Sequence, residues 1–460
     1  MRNLKSLAVI VAALASSAIG CAAHPPPALT VVQNPVELLT LDAATANRFV
    51  VAGARSELAA RIRVAVPSIS SLRRPPINLA LVVDTSGSME GRAIEDARVA
   101  SRTLLESLHD GDRLSVITFD SQGRVLVPST VLSAASRSTI AEQIAQIEAR
   151  GTTAMAEGLR LGVAQVFANH DPAGINRIVL LGDGVPNDAS GILETAQAAG
   201  ARGVAITTLG LGLDYDETLM GNVAQRSGGH FHFVEDSSAV AAVFRDEVLR
   251  MERVVGRNAV AVLNAGPGVE VQSVVGLSAT RTDEGIVVPL GDVSEGSTRD
   301  LVVRLSVPSR RNGASVELLD VTVRYVDALQ GGGQRERRAF VGVRASSNEA
   351  ELRAGRNEEV ERTVAAQQLA SNTLEAIRDA RSGNLAAAQQ RLDQAIAQAE
   401  QQARVRNDVR LQRRVASLRG LRGALPSVAP STPSAPAPEA APATAVRAAH
   451  DEAMSELSGD

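Results

Sequence analysis

The chain has 460 residues, of which 45% are apolar, 21% charged and 2% aromatic, and its formal net charge is −4. This length suggests about two to three domains, and the slight negative charge with so few aromatic residues argues against nucleic-acid binding through basic or stacking surfaces. The single cysteine excludes an internal disulfide and a cysteine-based zinc or iron–sulfur site.

Residues 1–21 are predicted to be an export signal. Arg2 and Lys5 precede an apolar stretch, Leu7–Ile19, that is too short to span a bilayer. The following Gly-Cys pair completes a sequence, Ala-Ile-Gly-Cys, that resembles the lipobox of bacterial lipoproteins. The resemblance implies acylation of Cys21, for example with palmitate, and a membrane anchor. It favours the outer membrane, with the protein facing the periplasm or the cell surface. Ordinary secretion with a free thiol is the alternative.

A half-buried strand is predicted after residues 22–56, which are interpreted as a tether and an N-terminal segment. Apolar side chains occupy every second position from Leu58 to Val66. The strand lies in a segment, 57–74, that has no partner in the region that follows. We therefore expect it to join a β-sandwich formed later in the chain.

Residues 75–252 alternate short apolar runs with amphipathic helical segments. The continuously apolar run Leu79–Val83 is typical of a strand buried on both faces. This alternation predicts an α/β domain with a doubly wound, mostly parallel, Rossmann-like sheet. Its ligand site should lie at the carboxyl ends of the strands. The other predicted strands are Leu114–Phe119, Arg177–Leu181, Val204–Gly210 and His230–Val234.

Three further regions follow the α/β domain. Residues 255–346 contain short β-rich runs and predict a small β-sandwich. Residues 348–424 are rich in Ala, Gln, Glu and Arg and predict a helical hairpin or bundle, and residues 425–460 predict a disordered Pro/Ala-rich tail. Seven arginines within 404–422 are interpreted as a solvated helix face, with an anionic lipid or partner surface as the alternative.

Two smaller motifs of the α/β domain have structural interpretations. His230 and His232 are predicted to lie on a solvated strand face rather than to bind a transition metal. The acidic run Asp214-Tyr215-Asp216-Glu217 is interpreted as a helix N-terminus rather than as a second cation site.

Three loops at the predicted carboxyl edge of the sheet carry oxygen-bearing side chains. Asp84-Thr85-Ser86-Gly87-Ser88 directly follows the first strand, and Asp183-Gly184 follows the third. Between them lies a loop in which Thr153 stands five residues before Gly158. Together these loops resemble the von Willebrand factor type A (VWA) domain and its metal-ion-dependent adhesion site (MIDAS). The family usually has Gly at the position of Thr152.

The resemblance implies a divalent cation held by Asp84, Ser86, Ser88 and Thr153, with Asp183 acting through a bound water. Mg²⁺ is the first choice because it accepts few carboxylates and retains waters. Mn²⁺ is the second, and Ca²⁺ is also possible by ligand type. In the family, an open coordination position takes a Glu or Asp of a partner protein.

The expected function is that of a membrane-anchored VWA lipoprotein that captures an acidic side chain of a partner protein through the metal. Cell-envelope assembly, adhesion or scaffolding are the expected settings, and no enzyme activity is expected. A metal-dependent hydrolase and a structural spacer with a non-functional metal site are the alternatives. The oligomeric state and the identity of the partner are left open.

Overall fold

The computed structural model describes residues 38–68, 74–212, 215–329, 333–406, 409–428 and 440–459. The predicted signal peptide with Cys21, residues 22–37 of the predicted tether and N-terminal segment, Asp214 and the Pro-rich stretch 429–439 lie outside the described residues. Within the described ranges, no helix is both long enough and apolar enough to cross a membrane.

The described segments form sixteen β-strands and eleven α-helices. The strands are β1 (Thr40–Thr45), β2 (Phe49–Val51), β3 (Ser56–Ala65), β4 (Ile77–Asp84), β5 (Arg113–Phe119), β6 (Gly123–Val131), β7 (Ile175–Gly182), β8 (Val204–Leu211), β9 (Phe231–Val234), β10 (Val254–Ala265), β11 (Glu270–Val274), β12 (Thr280–Thr282), β13 (Gly285–Ser294), β14 (Thr298–Val307), β15 (Ser315–Asp327) and β16 (Gln334–Ser346). The helices are α1 (Arg92–Ser107), α2 (Ala134–Ala145), α3 (Met155–Ala168), α4 (Ile192–Ala201), α5 (Glu217–Ser227), α6 (Val240–Glu252), α7 (Glu349–Ala354), α8 (Glu358–Arg381), α9 (Leu385–Arg406), α10 (Val409–Ala424) and α11 (Ala440–Ser458).

A six-stranded sheet with the order β6-β5-β4-β7-β8-β9 forms the centre of the α/β domain. All neighbouring strands are parallel except β6, which is antiparallel to β5. Helices α1, α2 and α6 pack on one face and α3, α4 and α5 on the other. Strands β4, β7 and β8 are buried along their whole length because helices cover both faces. The predicted doubly wound, mostly parallel sheet is confirmed.

Strand β6 at the edge of this sheet was not predicted. It follows β5 after a short turn, and its exposed positions break the regular alternation that identifies a strand. Pro128 lies inside it, at a point where the pairing with β5 skips from Val127 to Thr130. Proline is tolerated there because an edge strand leaves some backbone N–H groups without a ladder partner.

Two sheets form the β-sandwich, in the orders β1-β3-β14-β11 and β12-β13-β10-β15-β16-β2. Neighbouring strands are antiparallel except β2, which is parallel to β16. The predicted early strand is β3, and it pairs with β14 along its full length, from Ser56↔Val307 to Ala65↔Thr298. Apolar side chains from both sheets form one shared core. The sandwich therefore brackets the α/β domain in the sequence. It also includes β1 and β2, which lie in the segment that the sequence analysis assigned to a tether and an N-terminal segment.

Helices α8 to α11 form a layer with its own apolar core. This layer contacts the sandwich on the outer side of β3, where Arg61 and Arg63 both bind Glu359 of α8, at 2.6 and 2.8 Å. A turn between α8 and α9 contains Gly383 with φ of 87°. Glycine adopts this left-handed conformation without the steric penalty of other residues.

The prediction of a disordered tail over 425–460 is wrong for residues 440–458, which form helix α11. Pro442 does not prevent this helix because it lies in the first turn, where the missing N–H would have no helical partner. Apolar side chains of α11, including Val446 and Leu457, pack into the cores of the helical layer and its junction with the sandwich. The segment folds because these tertiary contacts bury one face of it.

Three arginines of the 404–422 segment form ion pairs with neighbouring helices, although the side chains of Arg419 and Arg422 remain exposed, as predicted for a solvated face. Arg414 lies 2.8 Å from Glu456 of α11, and Arg419 and Arg422 pair with Glu400 and Asp393 of α9. These pairs connect neighbouring helices of the layer. The charges of these three arginines are therefore compensated within the molecule.

Candidate metal centre

Asp84 is the last residue of the fully buried strand β4, and it starts the first loop of the candidate site. Its Oδ1 accepts a hydrogen bond from the backbone N–H of Ser86 at 2.8 Å, which holds the loop in a tight turn. Its Oδ2 is buried and has no hydrogen-bond partner among the described residues. A buried carboxylate oxygen without a donor is costly unless a cation or a proton compensates it.

The two serines of this loop connect Asp84 to the third loop. Ser86 Oγ lies 3.0 Å from Ser88 Oγ, and Ser88 Oγ donates a hydrogen bond to Asp183 Oδ1 at 2.7 Å. This geometry follows from the sheet, since β4 and β7 are parallel neighbours with Val83 paired to Leu181. Residues that follow these strands therefore meet at the same edge.

Thr153 of the second loop lies beside the same cluster. A Cβ atom placed on Gly184 would lie 3.2 Å from Thr153 Oγ1 and 3.5 Å from Ser88 Oγ, so both hydroxyls border this glycine. The neighbouring Thr152 instead has its hydroxyl 3.3 Å from Ser121 Oγ, and it is exposed. The structure thus brings all five predicted residues together and separates the two adjacent threonines.

The electrostatics of the cluster favour a cation. Burial raises the pKa of Asp84 to about 7, and repulsion from the nearby Asp183 carboxylate also raises it. A divalent cation bound to these side chains would compensate both carboxylate charges and so remove the free-energy cost of burying them close together.

The donor set of the cluster matches a hard cation. It consists of two carboxylates and three hydroxyls, which are ligand types that Mg²⁺ and Ca²⁺ use. In the part of the chain that the structure describes, no three His, Cys, Asp or Glu side chains are grouped so that they could hold a metal. Any metal held at this edge therefore depends on the hydroxyl groups as well as on Asp84 and Asp183.

Asp120 is a supporting residue that the sequence analysis did not single out. It directly follows β5, is 5% exposed, and accepts a hydrogen bond from Arg150 at 2.9 Å. Its backbone carbonyl accepts from the N–H of Ala154 at 2.7 Å. Asp120 thus holds both ends of the loop that carries Thr153. Its place after a buried strand, like that of Asp84 and Asp183, is the signal that could have identified it.

The prediction of a solvated face for the two histidines is wrong. His230 is buried, and His232 Nε2 lies 3.1 Å from Glu247 of α6, a carboxylate that is 2% exposed. Thr207 donates a hydrogen bond to the same carboxylate at 2.8 Å. Burial lowers the pKa of His232, but the hydrogen bond that its ring donates to Glu247 and the charge of that carboxylate raise it above its ordinary value. This pair joins β9 to α6 and lies within the α/β domain.

The acidic run at the start of α5 has two structural roles. Asp216 is the N-cap of α5 and accepts from the N–H of Leu219 at 3.0 Å. Glu217 is fully buried and accepts a hydrogen bond from Arg381 Nε of α8 at 3.0 Å. The interpretation as a helix N-terminus is confirmed for Asp216, while Glu217 joins the α/β domain to the helical layer.

Residues 78–246 match the sequence profile of the von Willebrand factor type A domain. The chain contains a VWA domain. The matched range covers the six-stranded sheet almost completely, together with the three loops that carry the candidate metal ligands. The expected domain type and its α/β fold are therefore established.

The chain resembles several known proteins. It is 30% identical over 283 residues to the uncharacterized protein sll0103 of Synechocystis sp., a match that covers 59% of this chain and 66% of that protein. It is 27% identical over 181 residues to inter-alpha-trypsin inhibitor heavy chain H4 of Homo sapiens, covering 37% of this chain and 20% of that one. The chain therefore spans just under two thirds of the first relative and a fifth of the second.

The similarity to solved structures extends beyond the VWA domain, as one example shows. It is a von Willebrand factor type A protein from Catenulispora acidiphila, with a TM-score of 0.69 and 18% sequence identity. The similarity covers 88% of this chain and 94% of that chain. At this identity the likeness concerns the fold alone, including the sandwich and helices that surround the VWA domain.

Proposed function

We propose that this protein binds a partner protein through a divalent cation at the carboxyl edge of its VWA sheet, and that Cys21 anchors it to a membrane. The observation that carries the first part is Asp84 Oδ2, a buried carboxylate oxygen without a donor among the described residues, beside the Ser86, Ser88 and Asp183 cluster. VWA domains generally serve as interaction modules, which is consistent with a binding role.

The chain's own residues would hold the cation as follows. Asp84, Ser86, Ser88 and Thr153 provide oxygen ligands, and Asp183 orients Ser88 through their hydrogen bond and supports the cation through a bound water. We propose Mg²⁺, with Mn²⁺ as the second choice. When bound, the cation supplies a coordination position for an acidic side chain, since two carboxylates balance its charge and no more.

The proposed anchor determines where this binding takes place. Acylation of Cys21 would hold the folded part of the chain near a membrane surface, because each buried methylene contributes about 0.8 kcal/mol. We place the protein at the outer membrane, facing the periplasm or the cell surface. In this setting, capture of an acidic segment serves envelope assembly, adhesion or scaffolding.

Affinity capture from detergent-solubilised envelopes tests the metal-dependent function. The wild type in Mg²⁺ is compared with the wild type in EDTA and with Asp84→Ala in Mg²⁺. Asp188→Ala is the matched control, because this exposed aspartate lies in the same loop as Asp183 and accepts a hydrogen bond from the nearby N–H of Ser190 at 2.8 Å. We expect the wild type and Asp188→Ala to retain a partner in Mg²⁺. We expect no retention by the wild type in EDTA or by Asp84→Ala in Mg²⁺.

Calorimetric titration with Mg²⁺ and Mn²⁺ separates the alternatives. Loss of metal binding in Asp84→Ala with an unchanged melting temperature supports a binding site that is not needed for folding. Wild-type protein that binds neither ion would support the spacer alternative. A captured partner that remains bound in EDTA would contradict the proposal, and a substrate that is turned over rather than retained would favour the hydrolase.

A further inference from the structure

A polar cavity of about 500 Å³ lies where the VWA domain, the sandwich and the helical layer meet. Its wall includes residues of α5, of the segment that follows β11, of α8 and of α11. The volume is within the range of small-molecule sites, which occur preferentially where domains meet. The cavity is separate from the candidate metal centre, which lies at the carboxyl edge of the sheet.

Two arginines from different parts of the fold line this cavity. Arg226 belongs to the last turn of α5, and Arg378 belongs to the last turn of α8. Neither guanidinium forms an ion pair with any carboxylate of the described segments. The two groups carry the same charge and border the same space, so an anion between them would be stabilised by both.

The acidic residue of the cavity does not neutralise these arginines. Glu375 lies on its wall, but it is 2.6 Å from Arg391 of α9 and accepts a hydrogen bond from Ser371 at 3.2 Å. Its charge is therefore already compensated from the side of the helical layer. The cavity retains a net positive character from Arg226 and Arg378.

The rest of the wall is suited to a polar ligand. Asn222 adds an amide group, and two lining residues carry buried polar atoms without a hydrogen-bond partner among the described residues, namely Thr218 Oγ1 and His450 Nδ1. Buried polar atoms without partners are rare in folded proteins. Their presence favours an occupant that can form hydrogen bonds over an apolar one.

We propose that this cavity binds a phosphate group, either as free phosphate or as the phosphate of a small metabolite, between Arg226 and Arg378. Guanidinium groups bind phosphate oxygens in a bidentate manner, and two of them can contact one phosphate from opposite sides. Because Arg226 belongs to the VWA domain and Arg378 to the helical layer, the bound phosphate joins these two parts of the molecule.

Calorimetric titration of the purified full-length chain tests this site, with inorganic phosphate and glycerol 3-phosphate as the two probes. EDTA is present throughout, so that phosphate cannot bind through a metal at the candidate metal centre. We expect saturable binding of at least one probe, and affinities at least tenfold lower in Arg226→Gln and in Arg378→Gln. The probe that binds more tightly identifies the source of the phosphate group.

Three controls make the result decisive. Arg102→Gln removes an exposed arginine of α1 that does not line the cavity and should bind like the wild type. Asp84→Ala should also retain phosphate binding, which separates this proposal from the metal-dependent function. Unchanged melting temperatures without phosphate would show that the arginine variants fold. Absence of saturable binding in the wild type, or arginine variants that bind phosphate as tightly as the wild type, would overturn the proposal.

Discussion

At the carboxyl edge of the VWA sheet, Thr152 and Thr153 are adjacent in sequence but have different surroundings. Thr153 Oγ1 borders Gly184 together with Ser88 Oγ, whereas Thr152 is exposed and contacts Ser121. The family pattern usually has Gly at position 152, and the structure shows why Thr is tolerated there. Its side chain points to a neighbouring loop and leaves the cluster unobstructed.

This difference gives a matched pair of variants for the metal centre. Thr153→Val keeps the shape of the side chain but removes the hydroxyl, so we expect Mg²⁺ affinity to fall about tenfold, which corresponds to about 1.4 kcal/mol. Thr152→Val should leave the affinity close to that of the wild type. Calorimetric titration of both variants measures the effect. Equal losses in the two variants would show that Thr153 has no special role.

At the scale of single elements, helix α11 closes one end of the VWA sheet. Asp451 accepts a hydrogen bond from the backbone N–H of the edge-strand residue Phe233 at 3.1 Å, and the His450 ring stacks edge-on against Phe231 at 5.0 Å between centroids. Arg447 donates a hydrogen bond to the carbonyl of Tyr215. The helix thus protects an edge strand that would otherwise expose unpaired backbone groups.

The close approach of α11 to α5 depends on Gly221. A Cβ at this position would lie 2.7 Å from His450 Cε1, so Gly221→Ala should displace α11 and destabilise the protein by about 1–3 kcal/mol. Gly423→Ala is the control, because it also lies within a helix but would meet no atom within 4 Å. That variant should be neutral or stabilising by up to about 1 kcal/mol.

Chemical denaturation combined with hydrogen exchange measures this prediction. Faster exchange confined to α11 and its contacts in Gly221→Ala would agree with displacement of the helix. Unchanged exchange in α11 would mean that the neighbouring side chains absorb the added methyl group.

At the scale of the whole molecule, buried ionisable groups at the junctions between domains make stability depend on pH. Burial lowers the pKa of His450 to about 4, below the value of about 6.5 expected in the unfolded chain. Because the folded state disfavours the protonated imidazole, the contribution of His450 to the free energy of unfolding is complete above about pH 6.5. It is lost as the pH falls from there through about 4.

We therefore expect that lowering the pH from 7 to 4.5 in EDTA decreases the melting temperature of the wild type relative to that of His450→Gln, which cannot titrate at this position. EDTA removes metal binding at Asp84 from the comparison. Other groups contribute to the slope, among them His232, whose raised pKa stabilises the fold at low pH. The difference in melting temperature between the wild type and His450→Gln at each pH isolates the contribution of His450. Parallel curves for the two proteins would contradict the prediction.

The anchor is a second property of the whole molecule. Cys21→Ser removes the only thiol that could be acylated, and we expect the protein to move from the membrane fraction to the soluble fraction. Cell fractionation with immunodetection measures this shift. A variant that still sediments with membranes would show that something other than acylation holds it there.

The sequence alone determined the α/β fold and the identities of the candidate ligands. Buried parallel strands appear as continuous apolar runs, and the loops of Asp84 and Asp183 directly follow two of them. Thr153 lies in a loop between two helices, and the resemblance to the VWA family identified it. Strand β6 and the early strands β1 and β2 were missed because short or proline-containing edge strands lack a regular alternation of side chains.

Only the tertiary structure decided the features that depend on contacts between distant segments. Ala-rich residues 440–458 are helical because α8, α10 and β9 bury one of their faces, and His232 of β9 is half-buried because Glu247 of α6 packs against it. The same holds for Asp84 Oδ2, whose lack of a hydrogen-bond donor depends on the loops around it, and for the cavity between Arg226 and Arg378. Such properties arise from packing and desolvation, which local sequence patterns do not encode.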